Sequence, residues 1–491
     1  MANLPSEKSS ASFWHSEPSE FLLGHRTTAA LPKEADVVIV GSGITGASAA
    51  RFLAEDRRSR GLSVVMLEAR EACWGATGRN GGHCQPLLFE RGPDVSAFEL
   101  RNYHTIESYI ADNNITCEWR AIPGCRSFWT EGLAKAAAKD VEELQHAAPE
   151  IGKQVKIIEE EDEIRKLRVN GAPGVTLTAV AASLWPYKLI AFILEKLIKE
   201  QSLNLQTQTP VTQIKTLKPG MVGIARGFRH TLHTPRGPIH ARHLILATNG
   251  YTSHLLPTFT SLIVPERGIM TALLPPKDSS ILATSHGFVG ANGGNPIHDD
   301  YLCQRPFSGV SNAKGHLMFG GGTVGKTMKM VGEDDDSVID KGSVQYLKKA
   351  LLGLLVLGGD TEGLEELEAS HAWSGIWGTS IDHHPWVGAV PDMPNIWLAG
   401  GYSGHGMPNA TLCGKAVVDM MLAQERGQSL NTVQEQMVNS GDLPKSYLIT
   451  KERIERCKQL DSVEVQDFKA MEGLKYFALP DLNYQQPGAK L

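Results

Sequence analysis

The sequence predicts an α/β fold: a Rossmann-like parallel sheet interrupted by an inserted α+β body. Three observations lead there. "ADVVIVGSGITGASAARFLAEDRRSRGLSVVMLEA" (35–69) reads strand, glycine turn, helix, strand. Later apolar runs, "ARHLILATNGYTSHLL" (241–256) and "NIWLAGG" (395–401), have the character of further buried parallel strands. The stretches between these pieces are far too long to be connections within one sheet.

Taken in order, residues 1–34 form an N-terminal arm without a basic start and apolar core, so no secretory signal is read there. Val37 to Val40 are a β-branched run closed by Gly41. Ile44, Ala47, Ala50, Leu53 and Ala54 recur at helical spacing, and "SVVMLEA" is the second strand. The nucleotide-binding domain is assigned to 35–89, 174–256 and 373–427. The second domain is assigned to 90–173 and 257–372, where "FELRNYHTIESYIADNN" and "VQYLKKALLGLL" read as helices and "HLMFGGG" as a strand. Residues 428–491 are expected to be a helical and irregular tail.

The 491 residues suit two or three packed domains, and a formal net charge of −6 argues against nucleic acid as the main partner. The apolar run "ALLGLLVLGG" (350–359) is too short to span a bilayer, and no basic run suggests a membrane surface. Seven scattered cysteines without a CxxC argue against a disulfide framework and against zinc. The acidic runs "EEEDE" (159–163) and "EDDD" (333–336) lack cation-ligand spacing. Asp382-His383-His384 is not read as a metal pair, because adjacent histidines diverge and Pro385 bends the chain; no metal is expected.

Gly41-Ser42-Gly43-Ile44-Thr45-Gly46 fits the dinucleotide pattern in its proper context, after a strand and at the start of a helix. Gly41 permits the turn, Gly43 lets the backbone approach a pyrophosphate, and Gly46 lets helix and strand pack closely. The helix N-terminus offers free N–H groups. Glu68, at the end of the next strand, is placed to accept hydrogen bonds from ribose hydroxyls. A second glycine-rich run, "CWGATGRNGGHCQP" (73–86), has no obvious use in a nicotinamide enzyme but suits a flavin ring cradled by backbone.

With "GATGRNGGH", "LILATNGYT" and "WSGIWGTSIDHHPWVGAVP…NIWLAGGYSGHGMP" in the same order, the chain resembles the D-amino-acid-oxidase-like FAD-dependent oxidoreductases. That superfamily includes glycine, sarcosine, pipecolate and γ-glutamylputrescine oxidases. The resemblance implies a FAD-binding domain of the glutathione-reductase type with an inserted α+β substrate domain. It implies Glu68, Ala69 and Arg70 at the adenosine, and Ala76, Thr77, Arg79, Asn80, Gly81, Gly82 and His83 along pyrophosphate, ribityl and ring. Val211 would meet the adenine, and Ala247, Thr248 and Asn249 the flavin linker. Gly401, Tyr402, Gly404, His405, Gly406 and Met407 would wrap the pyrimidine end of the ring. The following helix, with Pro408 suited to its first turn, would direct its positive end at N1/C2=O.

The chain departs from the sarcosine-oxidase branch at three places. Met407-Pro408 stand where that branch has a lysine for the substrate carboxylate, which points to an amine without a neighbouring carboxylate. Gly375, Ile376 and Trp377 replace the cysteine that tethers FAD, so a non-covalent cofactor is expected. A lysine that assists oxygen reduction would fall near Met318 and is absent. The implied reaction is oxidation of a C–N bond to an imine, with hydride passing to flavin N5 and O2 as acceptor giving hydrogen peroxide. Tyr402, His405, Tyr301, Arg305 and Trp377 are the candidate pocket residues. The rivals are a dehydrogenase using a quinone or protein acceptor, a biosynthetic oxidase acting on a natural-product intermediate, and a non-catalytic flavin protein. Ala489-Lys490-Leu491 is similar to the address read by the peroxisomal import receptor, so a peroxisomal location is expected, otherwise a cytoplasmic one.

Overall fold

The computed structural model describes residues 1–216, 227, 229–294, 299–321, 330–463 and 466. Ala489, Lys490 and Leu491, and with them the expected import address, lie outside the described residues. Among the described residues no helix is long and apolar enough to cross a membrane.

The first sheet runs in spatial order Trp386–Ala389, Ile396–Gly400, Gly237–Leu246, Glu34–Val40, Val64–Leu67, Asn204–Gln206. Its members from Ile396–Gly400 onward are parallel, and Trp386–Ala389 closes the edge antiparallel. The strands expected near 40, 65, 245 and 398 are therefore neighbours. Both faces are covered, Val37 and Ile39 packing in one apolar cluster with the flanking helices and Val38 in another with Leu232, Leu256 and Phe259, which is why Val37, Val38 and Ile39 form an unbroken apolar run with no exposure. The helices Ile44–Glu55 and Ala410–Glu425 pack against each other beside it.

Among the described residues the second sheet has nine strands and is antiparallel except where Ser285–Val289 runs parallel to Arg120–Phe128. Its centre holds Ile263–Leu273, Leu317–Gly321 and Asp299–Gln304. Three strands that lie wholly or mostly in the ranges assigned to the first domain pair in this sheet: His83–Cys84, Gly174–Ser183 and Ala369–Ser380. Their apolar patterns mark them as strands, but sheet membership is decided by partners far away in sequence, which a local pattern does not carry. The helices Pro93–Asp112 and Lys341–Leu354 fall on the segments expected to be helical.

The N-terminal arm and the helix Lys451–Cys457 are built into the body. In the arm, Phe13 and Trp14 are fully buried, and Trp185 Nε1 donates to Trp14 O at 2.8 Å. Toward the other end, Arg453 in the helix Lys451–Cys457 pairs with buried Asp382 and donates to the carbonyls of Pro385 and Tyr447. Burial works to raise the Asp382 carboxyl, yet the charge and hydrogen bonds of Arg453, with His384 and Ser380, hold it well below the usual carboxylate range.

Candidate functional site: a glycine-walled cavity between the sheets

A cavity of about 480 Å³ runs from the glycine turn of the first sheet to the face of the second. At its first end the chain leaves Glu34–Val40 through Gly41, whose φ of +103° is left-handed. The helix Ile44–Glu55 starts at Gly43, which provides no side-chain cap. Thr77 Oγ1 accepts from Ile44 N at 3.0 Å, and the remaining first-turn donors face no capping side chain. Gly46 lies behind the wall: a Cβ there would come 1.9 Å from Gly41 O, so helix and turn pack at contact. Glu68 accepts from Ser42 N at 2.9 Å, Ser42 Oγ at 2.6 Å and Arg70 N at 3.0 Å, which fixes its carboxylate at the cavity edge.

The far end is built from the second glycine run and the late loop. Gly81 N donates to Tyr301 Oη at 2.8 Å, and a Cβ on Gly81 would strike the Tyr301 ring at 2.3 Å. His83 stacks near that ring at 6.1 Å and shares a 2.9 Å hydrogen bond with Ser285 Oγ. Burial, reinforced by His405 and Arg126, lowers the His83 imidazole to about 3, so it stays neutral. Trp377 donates to Thr379 Oγ1 at 3.0 Å while its ring lies over Gly268. The two glycine loops meet directly, with Thr45 Oγ1 and Tyr402 Oη 2.9 Å apart and Gly401 N donating to Asn249 Oδ1 at 3.0 Å. The helix after the late loop begins at Ala410 with Asn409 as its cap, so Pro408 lies ahead of the first turn rather than within it.

Charge is concentrated on two buried groups. Arg126 lies 2.8 Å from Glu90 and 3.0 Å from Asp299. Burial pushes the Glu90 carboxyl up to about 7 against the pull of Arg126. Glu99, with no exposure, accepts from Leu87 N at 2.9 Å and Asn409 Nδ2 at 2.8 Å, and meets His405 Nε2 at 3.3 Å. Burial acts to raise its carboxyl, but His405, Arg91 and Asn409 bring it below the ordinary value.

Most of the expected cofactor residues line this cavity, as do Tyr301, Trp377, Tyr402 and His405. Arg305 does not: it forms a two-point pair with Glu118 and lies over the Phe13 and Trp185 rings, 4.9 and 4.8 Å from their centroids. Gly46, Gly82 and Gly401 are buried behind the lining, and each supports a turn. Arg79 lines the cavity, but its guanidinium is held on Ser374 O, Ser10 and Asp336, away from a pyrophosphate role. The hydroxyl of Tyr402 is committed to Thr45. Sequence reasoning missed Leu4 and Pro5 of the arm, which line the cavity, and Arg126, Asp299 and Glu99. Glu99 had a visible signal: with Val95, Phe98, Asn102, Tyr103 and Ile106 it falls on the helix's apolar stripe, where a carboxylate needs a partner.

An uncapped helix N-terminus, a fixed carboxylate beyond the next strand, and backbone walls at both ends fit a dinucleotide joined to a flat ring. Comparison with known proteins agrees. The family model for the DAO FAD-dependent oxidoreductases matches residues 36–420. A probable oxidoreductase OrdL of Haemophilus influenzae is 24% identical over 417 residues, covering 81% of this chain and 85% of that protein. The gamma-glutamylputrescine oxidoreductase of Escherichia coli is 24% identical over 412 residues, 79% of this chain and 83% of its own. Among solved structures, glycine oxidase from Geobacillus kaustophilus shares the fold, with a TM-score of 0.60 and 18% identity over 81% of this chain and 96% of its own.

Proposed function

Since the chain belongs to the DAO family of FAD-dependent oxidoreductases, we propose that it oxidises an amine with no carboxylate on the reacting carbon, giving an imine that water hydrolyses. Arg126 carries this reading. It is a guanidinium in the cavity wall that could have held a substrate carboxylate, and it is already engaged by Glu90 and Asp299. The lysine of the carboxylate-binding branch is also replaced, by Met407-Pro408.

FAD, when bound without a covalent link, supplies the hydride acceptor. The residues that would hold it are Gly41 to Thr45, Glu68, Ala69, Thr77, Val211, the Ala247–Asn249 turn and the loop from Tyr402 to Met407. Tyr301 fixes Gly81 and hence the wall facing the ring. Trp377 and Met270 close the same face with apolar surface and exclude water from the reacting carbon.

Anaerobic mixing with simple amines and with the matching α-amino acids tests this. Amines are expected to bleach the flavin absorbance and amino acids to leave it unchanged; the reverse order would sink the reading. We propose O2 as acceptor. Met318 favours the alternative of a quinone or protein acceptor, because it is fully buried where the resemblance expects a cation. Oxygen uptake by the pure protein with a bleaching amine separates the two.

A further inference from the structure

Glu99 is a carboxylate without exposure on a helix that faces the flavin loop, and it belongs to none of the recognised motifs. Two of its three donors, Leu87 N and Asn409 Nδ2, fix its position. The third contact, His405 Nε2, lies on the loop lining the cavity. His405 itself is held on both sides: its N–H donates to Tyr402 O at 2.8 Å and its carbonyl accepts from Asn409 Nδ2 at 3.0 Å. Asn409 Oδ1 in turn accepts from Tyr447 Oη at 2.8 Å. A parallel contact from the same helix, Asn102 Nδ2 to Met407 O at 3.0 Å, holds the loop two residues further on. A carboxylate on Nε2 makes that nitrogen the donor and leaves Nδ1 as the free ring nitrogen. Among the described residues no hydrogen bond to Nδ1 is present.

We propose that Glu99 is a positioning residue that sets His405 as the base accepting a proton from the substrate ammonium. This rests on the amine-oxidation reading above. An amine reaches the site protonated at neutral pH, and an ammonium has no lone pair to support loss of hydride. In the step, the substrate N–H bond breaks and an Nδ1–H bond forms. The imidazolium is then balanced by Glu99, and the free amine gives its C–H electron pair to the cofactor. Groups facing this pair from the surrounding elements are His83, Arg91, Cys413 and Tyr447. His83 cannot replace His405, because burial keeps it neutral down to about pH 3.

The test compares wild-type holoenzyme with Glu99→Gln and His405→Gln. Two curves are read against pH: the anaerobic bleaching rate with an amine, and the visible band of the resting flavin without substrate. Removing a neighbouring charge of this kind moves a pKa by about one unit or more. In Glu99→Gln the rising limb and the band's inflection are expected to move about one pH unit toward acid, with the plateau rate about tenfold lower. In His405→Gln both are expected to vanish. Unmoved curves in Glu99→Gln, or a limb that persists in His405→Gln, would overturn the inference. If Glu99→Gln does not fold, the His405→Gln limb decides alone. Failure of every amine to bleach wild type would instead count against the underlying reading, so the two failures are told apart.

Discussion

His286 lies 1% exposed in the second sheet, its ring stacked on Phe288 at 5.9 Å and bonded to Thr284 Oγ1 at 3.0 Å. Burial, with Arg168, lowers its imidazole to about 3. A folded-state value below the unfolded one means the native chain binds fewer protons. The stability it protects is complete above pH 6.5 and is lost as pH falls toward 3. Between pH 6.5 and 5 the loss from His286 is roughly 2 kcal/mol at 1.36 kcal/mol per unit. The melting temperature is therefore expected to drop over this interval, and His286→Gln to drop less; equal slopes would refute the assignment. Arg79 shows where single residues resist reading. It stands in the second glycine-rich run, so a cofactor role was the natural expectation. Its actual partners, Ser10, Asp336 and Ser374, are remote in sequence, and nothing near Arg79 announces them.

Among elements, the glycine turns were legible because backbone demands are local. Gly46 and Gly81 could be placed from the chain around them, and contact distances explain both. The helix Pro93–Asp112 was legible as a helix but not as a clamp. Its periodicity marks an apolar stripe, while the loop that Glu99 and Asn102 hold lies some 300 residues further on. The same holds for the cluster around Asp336. This 0% exposed carboxylate pairs with Arg70 at 2.9 Å and Arg79 at 3.4 Å and accepts from Ser6 Oγ at 2.6 Å, joining three segments. Sequence reading found only a lack of cation-ligand spacing in the surrounding "EDDD", whose members Asp334 and Asp335 are half-buried. Asp336→Ala leaves two buried guanidinium groups without their anion and is expected to lower unfolding free energy by about 3–5 kcal/mol. Urea denaturation checks this; a loss under about 1 kcal/mol would show the cluster to be dispensable.

For the whole molecule, the chain alternates between two sheets, and sheet membership was legible for some strands and not for others. Parallel strands buried on both faces advertise themselves, so the first sheet was assembled correctly. Strands such as Gly174–Ser183 carry no mark of which sheet receives them. Residues 1–34 were read only as an arm, since they give no periodic signal. Yet Leu4 and Pro5 wall the cavity, Ser12 Oγ donates to Gly78 O at 2.8 Å, and Trp14 Nε1 donates to Asn80 O. A chain lacking residues 1–16 is expected to shed FAD at least tenfold faster on dilution, read as recovery of flavin fluorescence; an unchanged rate would show that the arm does not cover the cofactor.

That strap has a temporal meaning. A ligand walled in by Leu4 and Pro5 is best captured before those residues are fastened. If the strap must open for exchange, brief dialysis of the yellow protein is expected to report how slowly it unfastens instead of how tightly FAD is held.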